Sequence, residues 1–311
     1  MREMRKALEE YLAVRHALGF KLRIAGRLLH GFVEFAESEG ASFVSRKLAL
    51  RWATRPVNVQ PAQWSNRLGM LRRFAEYLSA TDARTEIPPQ ELLPYRYRRK
   101  PPYIYTDAEI LKLICAAKKL PPPGGLRAHT YSTLIGLIAV TGMRISEPIG
   151  LDRKDVDLKQ GVLTVRQAKF GKSRFVPLHT STTEKLHEYA RLRDRLYPNP
   201  QSPSFFVSER GTRLTDCTVR RWFLILSRQI GLRGPKESHG PRLHDLRHGF
   251  AIETLLNWYR AGVDVDRHMP VLTTYLGHGH VADTYWYISA APELLRQATL
   301  RLEESNRRQL P

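Results

Sequence analysis

Five short segments of this 311-residue chain place arginine, lysine, histidine and tyrosine where packing alone does not explain them. Thr141-Gly142-Met143-Arg144-Ile145-Ser146-Glu147 closes an apolar stretch, and the glycine there permits a tight turn just before Arg144. Lys169-Phe170-Gly171-Lys172 is a basic tip between two strand-like runs. His244-Asp245-Leu246-Arg247-His248 puts His244, Arg247 and His248 at i, i+3 and i+4, so on a helix they share one face. Leu276-Gly277-His278-Gly279-His280 and Thr284-Tyr285-Trp286-Tyr287 complete the set. Guanidinium groups are always charged and fork onto anionic oxygens, histidine and lysine move protons, and a tyrosine hydroxyl can attack once deprotonated. These residue types suit chemistry on an anionic ester. Each segment also has a plainer reading: Arg144 pairing with Glu147, an exposed hairpin tip, a capping histidine with a surface arginine, a core tyrosine.

The elements that must carry these residues can be read from periodicity. Helical patterns cover about 3–18 through Leu8, Tyr11 and Leu12, about 24–39 through Leu28, Phe32, Phe35 and Ala36, and 64–78 through Trp64, Leu68, Leu71, Ala75 and Leu78. Residues 1–90 therefore form a small all-helical domain. The proline-rich, basic and aromatic stretch that follows, with Tyr95-Arg96-Tyr97-Arg98-Arg99-Lys100, suits neither a core helix nor a core strand and reads as a linker over 91–105. Thr106 followed by Glu109 is a capping-box signature that opens a second domain over 106–290. In it an apolar helix spans about Tyr131–Val140, and a β-hairpin runs through Val162, Thr164 and Val165 and back through Phe175, Val176 and Leu178. Helices follow at about 180–195, 215–230, 244–260, 270–276, 281–288 and 292–305. The fold class is mainly α with a small antiparallel sheet, and residues 291–311 are a helical tail.

Composition narrows the partner. The chain has 50 Lys+Arg against 30 Asp+Glu, a formal charge of +20 and a pI near 10.2. Residues 1–105 hold 19 basic and 10 acidic side chains and residues 106–311 hold 31 and 20, so both parts are basic. A polyanion is the expected partner. With 42% hydrophobic and 9% aromatic residues the chain can bury a core, which excludes general disorder. The charged start MREMRKALEEYL is unlike a signal peptide, and no stretch of about 18 uncharged apolar residues is present. Two cysteines, Cys115 and Cys217, make neither a disulfide framework nor a metal-site spacing, so a cytoplasmic protein without a membrane segment is expected.

Taken together and in order, Arg, Lys, His-x-x-Arg, His and Tyr resemble the active site of the tyrosine recombinase (phage integrase) family over about residues 106–290. The family's TG-x-R-x-SE segment matches Thr141 through Glu147. Its hairpin lysine, ahead of a basic residue and a V-P-L strand, matches Lys169 ahead of Arg174 and Val176-Pro177-Leu178. Its H-x-L-R-H box matches His244 through His248, and its L-G-H matches Leu276 through His278. The nucleophilic tyrosine lies nine residues after that last histidine, which selects Tyr287. Pro148 stands where many members carry an aliphatic residue, which is tolerated if a helix starts near Ser146. The stretch Asn257–Met269 looks longer than usual, and together with Tyr285-Trp286-Tyr287 and Pro292-Glu293-Leu294-Leu295 it is similar to recombinases carried by transposons and other mobile elements.

The resemblance implies a helical DNA-binding domain, an α+β catalytic domain, and catalytic roles for Arg144, Lys169, His244, Arg247, His278 and Tyr287, with no metal or nucleotide cofactor. Arg144 and Arg247 would stabilise charge on the non-bridging oxygens, His244 would be the base and Lys169 the acid, and His278 would donate to the phosphate. Tyr285 is two residues from Tyr287, a rotation of about 200°, so it faces away. Lys172 is the alternative acid to Lys169, but is read as a phosphate contact.

DNA contacts are expected at Arg67, Arg72 and Arg73 of the N-terminal helices, at Arg98, Arg99 and Lys100 of the linker, at Lys172 and Arg174 of the hairpin, and at Arg220 and Arg221 of the helix near 215–231. A solvated basic face is the alternative for the linker and for that helix. The expected partners are double-stranded recombination sites, three further protomers in a tetramer on paired sites, and, as an optional partner, a sister recombinase. The apolar stripe Leu294, Leu295, Ala298 and Leu302 would dock on a neighbouring protomer, packing in cis being the alternative. Three rival functions remain: a metallonuclease built on His239, His244, His248, His278 and His280, which EDTA would inhibit; a DNA-binding protein that has lost catalysis, against which every family active-site position is filled; and a type IB topoisomerase, which would relax any supercoiled plasmid.

Overall fold

The computed structural model describes residues 2–94, 101–166, 171, 173–199, 201–237 and 239–309. The chain divides into two compact units, Met1–Arg99 and Lys100–Pro311. The first contains the helices α1 (Arg2–Ala17), α2 (Arg23–Ser38), α3 (Arg46–Thr54) and α4 (Pro61–Ser79). Spacings of three and four bring Leu8 and Leu12, Leu29, Phe32 and Val33, and Leu68, Leu71 and Phe74 into one buried cluster. The helix α3 adds to the three expected from periodicity. Its nine residues carry only two turns of pattern, but Ser45 caps it by accepting from Leu48 N, and Trp52 packs edge-on against Phe32 with ring centroids 5.3 Å apart.

The second unit opens with α5 (Asp107–Ala117), whose capping box between Thr106 and Glu109 is formed as the sequence predicts. There follow α6 (Leu126–Thr141), the short α7 (Ser146–Gly150), a three-stranded sheet, and α8 (Thr180–Leu196), α9 (Asp216–Gln229), α10 (Leu243–Arg260), α11 (Val265–Leu276), α12 (Ala282–Ala290) and α13 (Pro292–Gln309). Pro148 falls in the first turn of α7, where its missing N–H would have had no partner. The strands β1 (Val156–Asp157), β2 (Val162–Val165) and β3 (Arg174–Pro177) pair antiparallel in sequence order. Val165 faces Arg174 and Val162 faces Pro177. Leu163, Val165 and Val176 point into the core while Phe175 is exposed, the two-residue alternation of a sheet covered on one side. Lys169 and Lys172 lie outside the described residues, as do Arg98, Arg99 and Lys100.

Two features of the last helices bear on the site. The helix α11 starts at Val265 rather than near 270, because the Asp264 carboxylate accepts from Arg267 N and caps it. Much of the long stretch after Asn257 is therefore helical. Part of the helix α13 lies against its own chain: Leu294 is buried in a cluster with Ala251, Leu255, Leu272 and Leu276, and the Arg301 guanidinium donates to Val263 O and Tyr259 O at 2.7 and 3.2 Å. Leu295 and Leu302, on the same expected stripe, are exposed. Among the described residues no helix is long and apolar enough to cross a membrane.

Candidate active site

Two helix ends and one helix interior meet at the site. Gly142 ends α6 at φ 61° and Gly277 ends α11 at φ 66°, the left-handed region that glycine enters without a Cβ penalty. A Cβ on Gly142 would also lie 2.5 Å from Phe250 Cδ1, so that position is closed to any side chain. Both helices thus turn their last carbonyls, the negative end of the helix dipole, toward two arginines. Arg247, 1% exposed in the middle of α10, donates to Gly142 O and to Leu276 O, each at 2.7 Å. Arg144 donates to Gly277 O at 2.9 Å and to Leu276 O at 3.3 Å. Residues 105 and 133 positions apart in the chain are tied in this way.

Glu147 locks a third arginine beneath them. Its carboxylate is buried and takes both ends of the Arg174 fork at 2.9 Å, Arg144 Nη1 at 3.2 Å and Arg144 N at 2.8 Å. Burial pushes this carboxyl up, but the bidentate bond and charge of Arg174, the Arg144 amide and the Arg247 charge outweigh it and hold the group below the usual carboxylate range. Burial, then the neighbouring Arg144, lowers Arg247 to about 10, so it remains charged at neutral pH.

Three aromatic rings, those of His248, His278 and Trp286, pack against Tyr287, which is only 2% exposed. His248 Nδ1 lies 3.1 Å from Tyr287 Oη. The His244 and His248 rings, one turn apart on α10, meet edge to face at 4.6 Å. The His278 ring is stacked at 6.2 Å from that of Tyr287, and Trp286 packs against both His248 and Tyr287. Burial is the main cause that lowers all three histidines: His244 to about 4 with Arg247 adding to it, His248 to about 4 with His244, and His278 to about 3 with Arg247 and Arg144. All three are neutral at pH 7. The Thr284 hydroxyl lies 2.8 Å from His278 Nδ1 and 2.8 Å from Thr273 Oγ1. With Thr284 donating to Nδ1 the imidazole proton sits on Nε2, whereas the reverse direction places it on Nδ1.

The fold therefore gathers Arg144, His244, Arg247, His278 and Tyr287 within one cluster, from segments spread over more than 140 positions. Tyr285 faces away, as the helix rotation predicts: it is 40% exposed and donates to Asp266 Oδ1 at 2.8 Å. Arg174, expected at DNA, forks onto the buried Glu147 carboxylate and donates to Tyr275 O at 2.6 Å. Its place opposite Val165 at the base of the hairpin was legible, but its partner was not. On α4, Arg67 stacks on Trp52 at 4.0 Å and donates to Trp52 O, so its guanidinium is engaged within its own unit. Arg72 pairs with Glu76 at 3.4 Å, and Arg73 is exposed. On α9, Arg220 is exposed and bonded to Asp216 at 2.6 Å, and Arg221 is exposed. In the sequence His248 shares a face with His244 and closes the H-x-L-R-H box, but has no catalytic role assigned in the recombinase reading. The signal was there, four residues on, but nothing local pairs it with a tyrosine 39 positions away.

The phage integrase family model matches residues 105–293. The chain is 48% identical to the Sinorhizobium fredii protein y4rB, described as an integrase/recombinase, over 97% of this chain and 98% of that protein. It is 29% identical to tyrosine recombinase XerC of Thermodesulfovibrio yellowstonii, over 72% and 69% of the two chains. Among solved structures it superposes on the Tn1549 transposon integrase in complex with transposon right end DNA with a TM-score of 0.66 at 16% identity, covering 97% and 98% of the two chains. XerH recombinase bound to its difH substrate gives 0.64 at 20% identity, covering 88% and 77%. The matched segment contains all five clustered residues and the relative aligns almost end to end, so the chain belongs to the phage integrase, or tyrosine recombinase, family.

Proposed function

We propose that this protein is a site-specific DNA recombinase that breaks and rejoins DNA through a 3′-phosphotyrosyl intermediate, for integration, excision or resolution of a mobile element. The observation that carries the reading is the cluster itself: two arginines and three neutral histidines gathered with a single buried tyrosine, whose hydroxyl meets His248. Arg144 and Arg247, already oriented by carbonyls, hold the non-bridging oxygens of the scissile phosphate and stabilise the charge that builds on them. His278, with its proton on Nε2, donates to the same phosphate. Tyr287 Oη bonds to phosphorus as its proton leaves to a histidine of α10, His244 or His248. The P–O5′ bond breaks, and Lys169 gives the departing 5′ oxygen a proton. The bond energy is kept in the phosphotyrosine, so the reverse attack by a 5′ hydroxyl needs no nucleotide. Two guanidiniums supply the charge stabilisation that metal ions supply in other phosphodiester chemistry, so the reaction is expected to run in EDTA.

The basic first unit, residues 1–90, is the DNA-binding domain, the segment 91–105 connects it, and 106–290 is the catalytic domain. Exposed Arg73 and Arg221 support DNA contact more directly than Arg67, whose fork is already engaged. Four protomers on two paired sites, with or without a sister recombinase, form the working assembly in the cytoplasm. The names of y4rB and of the Tn1549 integrase support the mobile-element role.

A nicked suicide substrate carrying the element's own end sequence tests the reading. The expected result is a covalent adduct formed in EDTA by the wild type and by Tyr285→Phe. Tyr287→Phe should bind the same DNA and form none. An adduct in the Tyr287 variant, or relaxation of plasmids without regard to sequence, would overturn the assignment.

A further inference from the structure

The resemblance to the family points to His244 as the base, but the hydrogen bond at the tyrosine runs from its neighbour one turn later. His248 Nδ1 is 3.1 Å from Tyr287 Oη, the ring is half-buried between Trp286 and His244, and it follows Arg247 directly in α10. We propose that His248 is a catalytic residue of this protein, the group that takes the proton from Tyr287 as it attacks. This rests on the function proposed above. With its own proton on Nε2, a neutral imidazole presents a lone pair at Nδ1 toward the phenol. The Oη–H bond breaks as the Oη–P bond forms, the proton moves to His248 Nδ1, and the 5′ oxygen leaves with a proton from Lys169. In rejoining, His248 returns its proton to the departing phenolate.

The surroundings suit a base that is neutral at rest. Burial is the main cause that keeps His248 unprotonated, down to about 4. His244, Arg242 and Arg247 on α10 act the same way, and Asp245 opposes them. From α12 the facing groups are Tyr287 and Trp286. Asp245, 2% exposed, is the nearby charge that favours the imidazolium once formed. His244, with its ring 4.6 Å away, is then left to bond the phosphate.

The test is single-turnover adduct formation on the nicked suicide substrate from pH 7 to 9, comparing the wild type with His248→Ala, His248→Asn and His244→Ala. Asparagine puts Oδ1 where Nδ1 stands, so it keeps a hydrogen bond to the phenol but cannot take its proton. Both His248 variants should bind DNA as the wild type does and form adduct at least ~100-fold more slowly at pH 7. Their rates should then climb about tenfold per pH unit, as the phenolate fraction of a hydroxyl with a reference pKa of ~10 rises, while the wild type changes little. A near-normal rate in His248→Asn would reduce His248 to a positioning residue and overturn the proposal. So would a loss in both variants that pH does not recover, or pH recovery confined to His244→Ala. A wild type that forms no adduct would instead refute the function proposed above.

Discussion

Replacing Glu147 with glutamine keeps the volume and removes one charge from the base of the site. The carboxylate is buried and accepts four hydrogen bonds, Oε1 from Arg144 Nη1 and Arg174 Nη1, and Oε2 from Arg144 N and Arg174 Nη2. Glutamine turns one oxygen into an NH2 group facing two donors, and leaves Arg174, itself largely buried, without a counter-charge. Breaking a buried pair in this way costs about 3–5 kcal/mol. For a unit of this size each kcal/mol moves the melting temperature by about 2–4 °C, so a fall of roughly 6–20 °C is expected. Calorimetry of the full chain should show it in the transition of the unit Lys100–Pro311, with that of Met1–Arg99 unmoved. Acid provides the second readout. Because the fold lowers this carboxyl, the stability it lends is whole above the unfolded value of ~4.3. That stability disappears as pH falls through the lower folded value, a loss the glutamine variant should lack. An unchanged melting temperature at pH 7, or the same loss in acid, would refute the reasoning.

Further expectations come from the neighbouring groups. His244, His248 and His278 are all lowered from 6.5, to about 4, 4 and 3. The unfolded chain therefore binds protons that the fold excludes, and stability should be full above about pH 6.5 and decline toward pH 4; a flat melting temperature across that window would show the rings are not buried neutral. Thr284→Val removes the hydroxyl 2.8 Å from His278 Nδ1. It should slow adduct formation by about 10- to 100-fold, by analogy with the loss of the partner that orients a metal-ligating histidine, with recovery in Thr284→Ser. An unchanged rate in the valine variant would show that the ring needs no such anchor. On a 5′-bridging phosphorothiolate, whose thiolate leaves without a proton, Lys169→Ala should recover strongly, whereas Lys172→Ala should show a milder defect similar on both substrates. Rescue of Lys172→Ala alone would exchange the two lysines.

Local rules carried much of the architecture. The capping box at Thr106, the two-residue alternation of β2 and β3, and the spacing of three and four along α1, α2 and α4 depend on neighbours within a turn or two, so they can be read without a fold. Helix geometry also decided that Tyr285 and Tyr287 face opposite ways, and the order of five polar segments was enough to place the chain in its family. Partnerships between segments required the tertiary structure. Arg247 meets the carbonyl of Gly142 because α6 ends against α10, and Arg144 meets Gly277 because α11 ends beside it. The pairing of Arg174 with buried Glu147 could not be read from the sequence, since a strand's alternation gives the side of a residue but not what waits there. His248 is the clearest case. Its sequence position puts it on the same helical face as His244, and only the packing of α12 against α10 decides which of the two rings receives the tyrosine hydroxyl. Periodicity fixes a side chain's direction relative to its own helix, but what it touches is set by the crossing of helices whose contacts are formed by residues far away in the chain.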